Sequence, residues 1–155
     1  MIIWNVVILT DRFMGWVITN NNPHEGTNCT KSAFNLPDNQ ESELSVDVNV
    51  LAAGDISFYK KVSSEQGYDF LKFKINGQKV GEWSGIDASW TLATFPVSAG
   101  QTVFKWEYDK DGGWSEGQDC AFIDYIVFPA INLGSVSLEN NIAEINAGEV
   151  IAWNP

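Results

Sequence analysis

Histidine, cysteine and basic side chains are scarce in this chain of 155 residues: one His, two Cys and nine Lys plus Arg. Cys29 and Cys120 form no CxxC pair, and with His24 alone they make no zinc set of the familiar Cys and His spacing. His24 lies in the turn-forming run NNNPHEGTN, which argues against a Ser-His-Asp triad, and neither thiol has a histidine nearby to activate it. Against 20 acidic residues the nine basic ones leave a net charge of −11 and a pI near 4.3, with no basic stripe for nucleic acid or an anionic membrane surface. Apolar runs are short. None approaches the roughly 20 residues of a membrane span, so no membrane insertion is expected. The opening run MIIWNVVILT lacks a basic n-region and a small-residue cleavage site, and it reads as a strand rather than a signal peptide. No amphipathic helix pattern occurs between residues 40 and 130, and there are no heptads or internal repeats.

What the chain has instead is β-strand chemistry and many rings: aromatics make up 13% of it, with seven Trp. From Leu44 the alternation is clean, with Leu44, Val46, Val48 and Val50 on one face and Ser45, Asp47 and Asn49 on the other. DISFYKKVS and FLKFKINGQKVGEW follow, the latter holding Asn76–Gly77, the preferred type I′ hairpin turn because both residues tolerate positive φ. Trp90–Val97 is a further strand. Thr102–Tyr108 alternates, whereas Cys120–Phe128 is apolar on both faces and belongs in the middle of a sheet. The two are expected to pair across the acidic, glycine-rich loop that joins them. Strands at roughly 10-residue spacing indicate an all-β, two-sheet antiparallel sandwich of jelly-roll type. A single module over 1–130 is expected, with 131–155 a last strand or a C-terminal linker.

Asp124 interrupts the apolar arm, on the alternation face of Cys120, Phe122, Ile126 and Phe128. A carboxylate there needs hydrogen bonds or a cation. It either accepts from backbone N–H groups or a tyrosine hydroxyl, or it ligates a structural Ca2+, which prefers several hard oxygens. The loop supplies such oxygens, and a calcium set of Asp109, Asp111, Asp119 and Asp124 is expected, although the spacing is not that of an EF-hand. The two cysteines each border a predicted strand. A Cys29–Cys120 disulfide is therefore expected, closing a loop of about 90 residues and contributing roughly 4 kcal/mol; buried free thiols are the alternative.

The blocks GDISFYKKVSSEQGYDFLKFKINGQKVGEWSG, FPVSAGQTVFKWEYDKDGG and SEGQDCAFIDYIVFP resemble a jelly-roll module repeated across large secreted and surface proteins of bacteria. That module is related in shape to cleaved-adhesin and MAM-type domains, and its IDYI strand is similar to that of some carbohydrate-binding modules. The resemblance spans Gly54 to Pro129. It implies a noncatalytic, calcium-tolerant sandwich in adhesion or glycan binding, part of a larger multi-domain protein that is secreted or on the cell surface. Asp124 matches the acid of the family's last strand, and Asp119 and Cys120 match its DC pair. No residue is carried over as a ligand contact.

For function, a carbohydrate-binding module is expected to stack sugar faces on exposed rings, with polar groups selecting hydroxyls. Trp114, Trp83, Trp90 and Tyr68 are the candidates, Trp114 foremost because GGWSEG has no strand pattern to bury it. The partner is then a polysaccharide or cell-surface glycan. A glycoside hydrolase needs two opposed carboxylates about 5–5.5 Å or 6.5–9.5 Å apart, and no strand carries two acids on one apolar face, so no enzyme is expected. The remaining alternative is an adhesion or assembly module that joins neighbours by strand addition.

Overall fold

Residues 14–132 are described by the structure, a computed structural model, and they form ten strands in two antiparallel five-stranded sheets. The strand expected in the opening run and the tail beyond residue 132 lie outside these residues. One sheet contains β1 (Val17–Thr19), β2 (Cys29–Lys31), β9 (Cys120–Val127), β4 (Gly54–Ser63) and β7 (Thr91–Val97), in that order. The other contains β10 (Ile131–Asn132), β3 (Glu41–Val50), β8 (Gly100–Asp109), β5 (Phe70–Ile75) and β6 (Gln78–Trp83). This is the two-sheet sandwich expected of the pattern. β7 is an edge strand, which is why Pro96 is tolerated within it.

The alternation decides what is inside. Leu44, Val46, Val48 and Val50 of β3 and Phe104, Trp106 and Tyr108 of β8 face Ile56, Phe58 and Val62 of β4 and Ala121 and Ile123 of β9. Phe73 sits at the centre of the ring packing, 4.8 Å from Phe58 and 5.0 Å from Trp106 between centroids. Asn76 and Gly77 both have positive φ, 51° and 80°, as the hairpin turn between β5 and β6 requires. At Gly81 a Cβ would fall 2.4 Å from the Trp83 indole, so the glycine makes room for that ring against the core.

Two pairings differ from the sequence-based expectation. β9 is indeed central in its sheet, between β2 and β4, but it does not pair with β8, which lies in the opposite sheet between β3 and β5. The loop 110–119 carries the chain from one sheet to the other rather than closing a hairpin. β8 instead joins strands whose outward faces carry matching charge: Lys105 pairs with Glu43, and Lys72 and Lys74 pair with Asp109 and Glu107.

The second difference is the cysteines, which are free and buried rather than bridged. Thr30 and Lys31 pair with Ile123 and Phe122, a register that continues to place Cys29 across from Asp124, four residues from Cys120. At roughly 3.3 Å per residue that is about 13 Å along the strand, well beyond the roughly 7 Å limit for a disulfide. Phe122 lies between them in one small apolar cluster. Burial first, then the Asp124 carboxylate, pushes the Cys29 thiol up to about 11. Burial likewise raises Cys120 to about 11 against the opposing charge of Lys31. Unreduced protein is therefore expected to show two alkylatable thiols once unfolded and slow alkylation when native at neutral pH. Finding none in the unfolded, unreduced chain would refute this arrangement.

Candidate functional site

The outward face of β9 is organised by a β-bulge. Tyr59 of β4 pairs with Asp124 and Ser57 with Val127, so three steps on β9 oppose two on β4. The extra residue is Tyr125, whose φ of 49° is an outlier for a bulky side chain and costs on the order of 1–3 kcal/mol. A bulge reverses the alternation beyond it. Ile126 and Phe128, which simple alternation groups with Asp124, pack instead against the core. Tyr125 joins Asp124 on the outer side, its ring centroid 6.3 Å from that of Tyr59.

Asp124 is 5% exposed and takes the backbone-capping role. Its Oδ2 accepts from the N–H groups of His24 at 2.8 Å and Glu25 at 3.1 Å, and its Oδ1 accepts from its neighbour Tyr125 N–H at 2.7 Å. The loop 20–28 between β1 and β2 is thereby held on the sheet. Asn22 and Gly26, both with positive φ, shape that loop. Trp90 adds a second tie, its indole N–H donating to the Asn22 carbonyl at 3.1 Å.

The result is a group of four rings around a buried carboxylate. His24 stacks on Tyr59 at 3.5 Å and 20°, with Trp90 at 6.0 Å and Tyr125 at 6.5 Å from the imidazole. His24 is exposed, and Tyr59, Trp90 and Tyr125 are half-buried. The group therefore presents ring surface to solvent with imidazole and phenol polar atoms among it, and its position is fixed from beneath.

The four aromatic candidates from the sequence are thus dispersed. Trp90 belongs to this group. Trp83 packs its ring against the core beside Phe58 and Phe95, with the Lys60 ammonium 5.4 Å above it. Trp114, at 77% exposure, and Tyr68, at 59%, stand on the loops that follow β8 and β4. His24, Tyr59 and Tyr125 are not among the ligand contacts expected from the sequence.

The four acidic candidates are likewise not brought together. Asp109 lies on the outer face of the β3–β8 sheet, paired with Lys72, while Asp124 belongs to the other sheet. Asp119 accepts from Tyr108 Oη at 2.9 Å and from Ser115 at 3.1 Å, and pairs with Lys110, whose ammonium also reaches Asp38 at 3.3 Å. Asp111 accepts from the Gly113 N–H at 2.7 Å. Burial pulls the Lys110 pKa down, but Asp119 and then Asp38 outweigh it and hold the ammonium above its ordinary value. Burial, reinforced by Asp119, pushes the Tyr108 phenol up.

No protein-family model matches the chain, and no curated protein matches it in sequence. Among solved structures, the secreted serine protease VesC from Vibrio cholerae matches with a TM-score of 0.54 and 19% identity, over 72% of this chain and 23% of that one. The chain thus spans about a quarter of that protease's length. The CBM22-1 xylan-binding domain from Paenibacillus barcinonensis matches with a TM-score of 0.46 and 15% identity, over 72% of this chain and 83% of that one. A family 35 carbohydrate binding module from an environmental isolate gives 0.45 and 12%, over 83% and 96%. At these identities the VesC likeness speaks to fold alone, and the two weaker ones carry no argument.

Proposed function

We propose that the chain is a noncatalytic carbohydrate-binding module of a secreted or cell-surface protein, holding a neutral sugar polymer on the outer face of the β1–β2–β9–β4–β7 sheet. The observation that carries this reading is Tyr125: a bulged, positive-φ residue turned outward to complete the ring group of His24, Tyr59 and Trp90 over Asp124. Backbone strain of this kind persists where the surroundings over-determine it, and such places cluster at binding sites. Sugar C–H faces stack on the rings, while the imidazole N–H and phenol O–H groups select hydroxyl orientation. An acidic chain suits neutral or weakly charged polymers.

The charged face of the other sheet favours a noncatalytic role. Glu41, Glu43 and Glu107 lie within 4.8 Å of one another beside a cleft of about 610 Å3. Lys105 and Lys74 pair with Glu43 and Glu107, with Lys72 3.9 Å from Glu107, so two of the three are engaged in ion pairs and all three crowd together rather than standing opposed across a sugar.

Affinity electrophoresis against plant and microbial polysaccharides tests the proposal. Wild type is expected to be retained by at least one. Trp90→Ala and Tyr125→Gly are expected to weaken binding tenfold or more, each factor of ten corresponding to about 1.4 kcal/mol. Glycine removes the ring while accepting positive φ without strain, so the Tyr125 variant is expected to stay folded. No retention of wild type, or equal retention of both variants, sinks the proposal. Trp114→Ala, on a separate loop, measures whether the most exposed Trp adds a contact of its own.

A second reading is favoured by Val17 and Ile18, 41% and 62% exposed on β1, the outermost strand of its sheet among the described residues: assembly by strand addition. Large species in size-exclusion chromatography, together with no glycan retention, would support it over the first.

A further inference from the structure

Six lysines are ion-paired with carboxylates: Lys60, Lys72, Lys74, Lys79, Lys105 and Lys110. The other two among the described residues, Lys31 and Lys61, have no carboxylate within ion-pair distance there, although the chain carries a net charge of −11. The register brings these two together. Phe122 of β9 pairs with Lys31 of β2 on one side and with Lys61 of β4 on the other. Directly opposite residues share a face, here the outer one that carries Tyr59 and Asp124. Two strand spacings put the lysine Cα atoms about 10 Å apart, so their long side chains can converge on one group. The Lys31 ammonium lies 5.3 Å from the Phe34 ring centroid and 5.9 Å from that of Phe122. The nearest acids are already committed: Asp124 to three backbone N–H groups and Asp119 to Lys110. The Cys120 thiol beside Lys31, raised to about 11, is uncharged at neutral pH.

We propose that Lys31 and Lys61 form an anion subsite beside the ring group, taking one isolated acid group, a carboxylate or a sulfate ester, of an otherwise neutral sugar polymer. The inference rests on the glycan reading of that face and narrows the polymer from neutral or weakly charged to weakly charged. Lysine is a compact point charge with rotatable donors, so it serves either kind of acid. The acidic chain repels a dense polyanion, and two cations match one acid at a time. The lysine row lies two residues, about 7 Å, along the strands from Asp124 and Tyr59. Phe122 joins it to Trp90, with ring centroids 6.3 Å apart. A sugar chain stacked on Trp90 therefore reaches the two ammonium groups. Phe34, 72% exposed, adds ring surface beyond Lys31.

The test is affinity electrophoresis of the full chain in glucuronoxylan, gum arabic and a sparsely sulfated galactan, each beside its acid-free form made by carboxyl reduction or desulfation. Wild type is expected to be held more strongly by at least one native polymer than by its acid-free form, and that polymer identifies the acid. The advantage is expected to shrink as salt rises. Lys31→Gln and Lys61→Gln are each expected to cut it roughly two- to fivefold, the range of partly exposed charge pairs. The double variant is expected to lose it, with retention by the acid-free form unchanged. Lys79→Gln makes the same charge change in the opposite sheet, where Lys79 pairs with Glu82, and is expected to behave as wild type. An acid advantage that survives in the double variant, or falls as far in Lys79→Gln, overturns the subsite. Retention by neutral polymers with no preference for acidic ones overturns it and leaves the glycan reading standing. Retention by no polymer, neutral or acidic, overturns both.

Discussion

Asp124→Ala is expected to destabilise the module by about 2–4 kcal/mol and to abolish glycan retention together. The carboxylate accepts from three backbone N–H groups, those of His24, Glu25 and Tyr125. Hydrogen bonds to a charged group are each worth roughly 1.5–3 kcal/mol. The sum is not additive, because a loop released into water re-solvates its own amides, and this sets the lower estimate. The same release removes His24 from Tyr59 and leaves Trp90 without its fixed acceptor at Asn22. A urea titration reads the first effect, and amide exchange at His24 and Glu25 reads the second. A change under about 0.5 kcal/mol, the scatter of ordinary surface substitutions, would show that the carboxylate does not anchor the loop.

Lys110→Met is expected to cost about 3 kcal/mol. The lysine side chain is 4% exposed and pairs with Asp119, itself 24% exposed, so the substitution leaves a mostly buried carboxylate with no cation and only the Tyr108 and Ser115 hydroxyls as donors. Removing one partner of a buried pair costs roughly 3–5 kcal/mol, and the partial exposure of Asp119 places this case at the low end. The variant also carries a pH signature. The folded-state pKa of Lys110 is raised, so its stabilisation is complete below the unfolded value near 10.4 and is lost as pH rises through the folded one. Tyr108 and Lys72, also raised, carry the same sign. The Lys110 part is therefore read as the difference between wild type and variant, which is expected to shrink above about pH 10.4. A difference that stays constant to pH 12 would contradict the ion-pair account.

Much of the fold was legible because period-2 patterning is a direct consequence of a half-buried strand. Leu44 to Val50 is buried on the side its spacing indicated, and Asn76–Gly77 adopts the two positive φ values that its chemistry favours. Which strands pair was less legible. Thr102–Tyr108 and Cys120–Phe128 are neighbours in sequence but lie in opposite sheets, because β8 pairs with β3 and β5 and β9 with β2 and β4, all of them distant in the chain. The cysteine expectation failed for a related reason: bordering a strand does not fix register, and register decided the distance.

The site was least legible. Tyr59 could be placed on the outer side of its strand with Ser57 and Lys61, but nothing in AFIDYIVF announces a bulge at Tyr125. His24 read as part of a turn-rich loop, and only the fold brings it to Asp124, 100 residues away. The bland reading of Asp124, a carboxylate accepting backbone N–H groups, describes its hydrogen bonds, yet those bonds are what hold the ring group in place.

The most direct test of the central claim is an NMR titration of 15N-labelled wild type with a soluble oligosaccharide taken from any polysaccharide that retains it. Saturable shifts are expected of the Trp90 indole N–H and of the His24, Glu25 and Tyr125 amides, with little change across the charged face at Lys74 and Lys105. Shifts confined to Trp114 and Tyr68, or none at saturating sugar, would contradict it.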